Sequence, residues 1–194
     1  MGSLQLKYEG FEDFDEEVTK AIDTIKSDDE APLFGDFWPS AKALCQYIEN
    51  SGAKDMTVLE LGCGLALPSI VASLKGARTV IASDYHKDCQ VYVEKNCQLN
   101  GVENLSYQQL DWRDDVQLKA MDLIVASDIL YEPKIYDDLA SFIWQCCHDK
   151  SKVIIADPER VFREDFDKAM EAQGLKMKAD WKEGKTKMTI WETR

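Results

Sequence analysis

The sequence predicts an α/β fold in one domain, a mostly parallel sheet carrying helices on both faces. Three observations lead there. The chain has 194 residues, the length of one ordinary domain. From Met56 onward, short apolar runs alternate with amphipathic segments of helical length. The 45% hydrophobic and 30% charged fractions are those of a globular chain and exclude disorder or a fibre. The runs cover 57–61, 79–83, 105–110, 123–127, 153–157 and 187–192, and helical patterns fill 67–75, 89–99, 135–147 and 163–172. Strands and helices that take turns are joined by right-handed crossovers, and the ligand then sits outside the strands' carboxyl ends.

Ahead of this alternation, Phe11, Phe14, Val18, Ile22 and Ile25 recur every three or four residues. The spacing predicts a helical appendage over residues 1–32, broken by Asp28, Asp29, Glu30 and Pro32. Pro39 then opens a second helix, with Ala43, Leu44, Tyr47 and Ile48 on one face, and Gly52 closes it. The main domain is expected over 33–194. The lysines near the end, Lys176, Lys178, Lys182, Lys185 and Lys187, read as the solvated face of a hairpin.

Charge narrows the partners. With 23 basic and 36 acidic residues the net charge is −13, which opposes a phosphate backbone and favours a cationic ligand or a basic protein segment. No nucleic acid is expected. No run of 18 apolar residues crosses a membrane, the first residues carry no secretory pattern, and Leu6 stands where a myristoylation signal after Gly2 needs Ser or Thr. The six cysteines lack C-x-x-C spacing and have only His86 and His148 for company, so no metal site is expected and the thiols read as reduced. A cytoplasmic monomer is the expectation.

Four strand ends carry unusual residues. The first opens into Gly62-Cys63-Gly64-Leu65-Ala66-Leu67-Pro68, preceded by Glu60. Two glycines let the backbone turn tightly and approach a ligand. A dinucleotide fingerprint wants a third glycine where Leu67 stands, and the charge of Glu60 at the mouth of the loop would oppose a pyrophosphate. S-adenosylmethionine, with its sulfonium and ammonium groups, has no such conflict. An NAD-dependent oxidoreductase is disfavoured on the same two residues. The second end places Asp84 20 residues after Gly64, where a carboxylate can accept from both ribose hydroxyls; Tyr85 follows it. The third end, Asp111-Trp112, offers an acceptor and a flat face to an adenine. The fourth runs from Ser127 into Asp128-Ile129-Leu130-Tyr131. That strand should lie beside the first, so Asp128 and Tyr131 would emerge near a cofactor's reactive end.

In order and spacing these four segments resemble the seven-β-strand S-adenosylmethionine-dependent methyltransferases. Phe37-Trp38-Pro39 with Asp128-x-x-Tyr131 is similar, more narrowly, to family 16, whose members include protein lysine methyltransferases. The resemblance covers residues 33 to about 160. It implies a Rossmann-like, doubly wound, seven-stranded sheet with the last strand antiparallel. It further implies S-adenosylmethionine as cofactor and S-adenosylhomocysteine as product. Glu60, Gly62, Cys63 and Gly64 would hold the methionine part, Asp84 and Tyr85 the ribose side, and Asp111 with Trp112 the adenine. Trp38 and Ser127 would complete the pocket, and Asp128 and Tyr131 would serve the reaction. The family's loop commonly has a glycine where this chain has Ala66, which should tighten the packing by one methyl group. The implied reaction is N-methylation of a lysine in a protein substrate. Methylation of a small amine or pyridine nitrogen, or a non-catalytic nucleoside-binding module, are the competing readings. A nucleic-acid amino-methyltransferase would need two prolines after the fourth strand, and Asp128-Ile129-Leu130-Tyr131 has none. Asp157-Pro158-Glu159-Arg160 reads as a strand-to-loop break.

Overall fold

The computed structural model describes residues 4–22 and 31–193. Ile25 and the Asp28-Asp29-Glu30 break lie outside them, as do Met1 and Gly2, and for Ile22 only the backbone is described. After α1 (Phe14–Ile22) and α2 (Pro39–Ser51), strands and helices alternate: β1 (Thr57–Leu61), α3 (Leu67–Leu74), β2 (Thr79–Asp84), α4 (Cys89–Asn100), β3 (Leu105–Gln109), β4 (Met121–Ser127), α5 (Tyr136–Gln145), β5 (Cys147–Asp157), α6 (Arg163–Gln173), β6 (Lys176–Glu183) and β7 (Thr186–Glu192). The sheet order is β3-β2-β1-β4-β5-β7-β6. The pairings along β3-β2-β1-β4-β5 are parallel, and β7 runs antiparallel to both β5 and β6. This is the doubly wound sheet the sequence predicts, with its last strand reversed.

Period-two alternation explains the two layers. Val58, Val125, Ile154 and Ala156 turn to the face covered by α2 and α3, where Leu44, Ile48 and Ile70 are fully buried. Leu59, Leu61, Ile124, Ala126, Val153 and Ile155 turn to the other face, under Leu139, Ile143, Phe166 and Met170 of α5 and α6. Each such aliphatic side chain stabilises the fold by about 1.5–3 kcal/mol. Strand order reverses between β1 and β4, and there Leu61 pairs with Ser83 of β2 on one side and Ala126 of β4 on the other. Gly62, Asp84 and Ser127 therefore emerge abreast at the switch point.

The N-terminal segment departs from the predicted helix. Asp13 accepts the backbone N–H of Glu16 at 2.9 Å, capping a helix that begins only at Phe14. Residues 4–13 are not helical. They run along α4, where Asn96 and Asn100 each accept from and donate to this backbone, at Glu9 and Lys7 respectively. Phe11 belongs to this strap: its N–H donates to Gly35 O at 2.9 Å, and its ring packs edge-on against Phe34 and Tyr92. A Cβ on Gly35 would run into that ring. The lysine-rich hairpin includes an edge strand, β6. Met177 and Trp181 are its half-buried side chains, and a bulge lies between Met177 and Ala179. Lys182 pairs with Glu159 at 2.6 Å.

Candidate active site

A cleft of about 230 Å³ opens at the switch point, lined by residues from every strand end the sequence singled out. The loop after β1 turns through left-handed backbone at Gly62 (φ 63°), Gly64 (φ 49°) and Ala66 (φ 58°). At Gly62 a Cβ would come within 2.5 Å of Ile129 Cγ2, and at Gly64 within 3.1 Å of Phe34 O; both positions need glycine for space as well as conformation. Ala66 does not line the cleft. Its methyl group bears on the left-handed backbone, at a cost of about 1–2 kcal/mol, and leaves the pocket's packing untouched.

Asp84 is buried at the floor of the cleft. One carboxylate oxygen accepts the Gly64 N–H at 3.0 Å and the other the His86 N–H at 3.0 Å. Burial raises its pKa while these bonds oppose the rise. A carboxylate has about four acceptor sites, so two remain for a ligand. Trp112 reaches the cleft with its indole N–H buried and without a partner among the described residues, an orphaned donor of the kind a bound ligand satisfies. Trp38 lines the opposite side, its indole N–H donating to Leu33 O at 3.0 Å and its ring meeting Phe14 edge-on. Cys63, Tyr85, Ser127, Asp128 and Tyr131 all line the cleft.

Two predicted residues are placed otherwise. Glu60 lies beneath the loop, 1% exposed and outside the cleft lining. Its carboxyl accepts the Ser69 N–H at 2.9 Å, doing for α3 what Ala66 as N-cap residue cannot. Burial, with some help from the charge of Asp84, pushes its pKa up to about 8 against the pull of the Ser69 bonds. The expectation of an anion at the loop's mouth is therefore corrected. Asp111 is the second. Its carboxylate is held in a fork by the Arg113 guanidinium, at 2.6 and 2.9 Å, which also keeps its pKa low. Asp111 lines a smaller neighbouring hollow with Trp112, not the main cleft.

Three lining residues escaped the sequence reading: Phe34, His86 and Arg160. Phe34 packs over Gly64 and against His86, with ring centroids 4.6 Å apart. Arg160 Nη1 donates to Asp128 Oδ1 and to Asp157 Oδ2, both at 3.0 Å. Asp157 is fully buried, so the guanidinium is anchored from below and presents itself to Asp128. Asp128 itself has left-handed backbone (φ 59°), strain of the kind that accumulates at functional sites. The signal for Arg160 was the strand-end rule itself: Asp157 ends β5 beside the end of β4. Among the described residues no group of three or more His, Cys, Asp or Glu side chains is arranged to hold a metal ion, and no helix is long and apolar enough to cross a membrane.

Comparison with known proteins bears on the whole arrangement. The histone-arginine methyltransferase METTL23 of Homo sapiens is 31% identical over 123 residues, 60% of this chain and 65% of that protein. The electron transfer flavoprotein beta subunit lysine methyltransferase of Danio rerio is 31% identical over 137 residues, 69% of this chain and 53% of that protein. The chain thus spans less than two thirds of the length of these relatives. In fold it resembles a ribosomal protein L11 methylase from Lactobacillus delbrueckii subsp. bulgaricus, with a TM-score of 0.68 and 22% identity over 79% of this chain and 78% of the other. It also resembles a putative methyltransferase, SMU.776, complexed with SAH, with a TM-score of 0.68 and 14% identity over 81% of this chain and 50% of the other. A family model described as lysine methyltransferase matches residues 20–173, from the last turn of α1 to the end of α6. Because that match spans most of the sequence, the chain belongs to the lysine methyltransferase family.

Proposed function

We propose that this chain transfers a methyl group from S-adenosylmethionine to the side-chain nitrogen of a lysine in a protein substrate. The observation that carries the reading is the joining of Asp84, the glycine turn, Trp112, Asp128 and Tyr131 around one cleft in a member of a lysine methyltransferase family.

These residues suit the cofactor's parts. The buried Asp84 carboxylate suits the ribose hydroxyls, and the unpartnered Trp112 indole with Tyr85 suits the adenine side. The backbone at Gly62, Cys63 and Gly64 suits the methionine part, with Ser127 and Trp38 enclosing it. Once bound, the cofactor supplies an activated methyl group on a sulfonium. The chain's task is alignment, to which a fixed near-attack geometry contributes on the order of 7–11 kcal/mol. Asp128 faces the acceptor nitrogen, orients it and balances the positive charge that grows on it as the bond forms. Tyr131 supplies an aromatic wall favourable to a cation. Glu60, buried under the loop, acts through the shape of the turn.

A protein acceptor is favoured over a small amine by the rim. Val161 and Phe162 follow Arg160 directly and are 90% and 53% exposed. Exposed apolar residues at a cleft mouth suit a protein surface better than a free amine, and the net charge of −13 suits a lysine-rich one. The likeness to histone-arginine methyltransferases makes an arginine acceptor the second reading. We further propose a cytoplasmic monomer working without a metal, with its methyltransferase domain over 33–194.

Incubation with tritiated S-adenosylmethionine and a cell lysate, followed by mass spectrometry, tests this. Methyl-lysine in a protein band is the expected result; methyl-arginine would favour the second reading, and label confined to small molecules would overturn both. Replacing Asp84 with Asn is expected to weaken S-adenosylmethionine binding by about 10–100-fold in calorimetry, since a hydrogen bond to a charged group contributes about 1.5–3 kcal/mol. Unchanged affinity would remove Asp84 from the ribose.

A further inference from the structure

We propose that Arg160 is a positioning residue that sets both the orientation of Asp128 and the charge seen by the bound acceptor amine. The inference rests on the reading of Asp128 as the group facing that amine. Arg160 is the only Lys or Arg among the described residues that line the cleft. It sits on the one carboxylate assigned to the acceptor side, 3.0 Å from Asp128 Oδ1. Its other contact, 3.0 Å to the fully buried Asp157, together with its own backbone N–H on Asp157 Oδ1 at 2.9 Å, leaves it little freedom to turn away. With Oδ1 taken, Asp128 presents Oδ2 to an incoming nitrogen in one defined direction.

The second consequence is electrostatic. A lysine must arrive at the methyl group as the neutral amine, so whatever stabilises its ammonium form slows transfer at neutral pH. Asp128 and Asp157 alone would put two negative charges beside it; Arg160 reduces the sum to one. The remaining titratable groups facing the space are Asp36 from the turn before α2, Asp84 and His86 from the end of β2, and Tyr131 from the loop of Asp128 itself. None of them replaces a permanent cation. Glu159, next to Arg160, is paired away with Lys182 of β6.

Single-turnover labelling tests the proposal, with the protein and tritiated S-adenosylmethionine in excess over pooled lysate proteins, so that the rate reports bound acceptor between pH 6.5 and 10. Arg160→Gln keeps a donor for Asp157 but removes the charge. Its rate at pH 7.5 is expected to fall about tenfold and to recover towards pH 9.5, the rising limb moving up by about one pH unit, because a bare carboxylate pair raises the amine's pKa. Arg160→Lys should keep the wild-type profile with a lower plateau, and cofactor affinity by calorimetry should stay within about threefold in both. A profile for Arg160→Gln that rises at the same pH as wild type, whatever its height, overturns the proposal and leaves the function standing. A wild type that labels nothing at any pH overturns the function itself and this proposal with it. Should Arg160→Gln unfold, the Asp157→Asn/Arg160→Gln double variant removes the stranded buried charge while still stripping the cation from Asp128, and the same outcomes apply.

Discussion

Replacing Asp128 with Asn is expected to lower methyl transfer by about 10²–10³-fold while S-adenosylmethionine binds within a few-fold of wild type. Asparagine is the informative choice because Asp128 has left-handed backbone (φ 59°), which Asn tolerates better than other side chains. The substitution therefore keeps the loop and removes the charge. Asp128→Ala should abolish transfer as well, but it adds backbone strain and leaves Arg160 with Asp157 alone, so a loss there mixes chemistry with structure. Rates on a labelled protein acceptor, with calorimetry for the cofactor, separate the two effects. Undiminished transfer in the Asn variant would take Asp128 out of the mechanism, and a parallel loss of cofactor affinity would move it to the binding site.

What could be read from the residues follows from which physical signals are local. The central strands announce themselves because both faces are buried: Val58–Leu61 and Leu123–Ser127 are nearly continuous apolar runs, and β1 begins and ends where the run does. Strand β6 was harder. Its Met177, Ala179 and Trp181 do alternate, but lysines separate them and the strand is an exposed edge, where charge protects against pairing with other chains. Phe11 fell on a helical spacing that capping at Asp13 overrode, and its packing against Gly35 and Phe34 joins segments far apart in sequence. Asp84 and Asp128 were legible as acids at the ends of buried strands. Arg160 was not, because nothing in Asp157-Pro158-Glu159-Arg160 says that the guanidinium turns back across β5 to β4. The direction of a side chain depends on tertiary partners, and that is why Glu60 and Asp111 were assigned to a ligand they do not face.

Glu60 makes the strongest case for measuring that difference. The ligand-free protein is expected to lose stability as pH rises from about 5 to 8, and Glu60→Gln to remove most of that loss. In the unfolded chain the carboxyl titrates near its ordinary value of 4.5, whereas burial in the fold raises it to about 8. Between those values the folded state holds one more proton than the unfolded state. Stability therefore falls with pH, by at most about 1.4 kcal/mol per pH unit and on the order of 4 kcal/mol across the window. Asp84 is pushed in the same direction and leaves a residual slope in the variant. Asp111 and Asp122 have lowered pKa values, so their contributions disappear only in acid, below this window. Gln keeps the oxygen that accepts the Ser69 N–H, and with it the cap on α3. Urea unfolding at pH 5.5, 7 and 8.5 should give a steep decline for wild type and a shallow one for Glu60→Gln; parallel curves would mean that Glu60 is ionised in the fold. A carboxyl that stays protonated under the loop repels no phosphate, so selectivity against a dinucleotide then has to come from the cleft itself, where Asp84 lies exposed to the ligand and Leu67 fills the place of a third glycine.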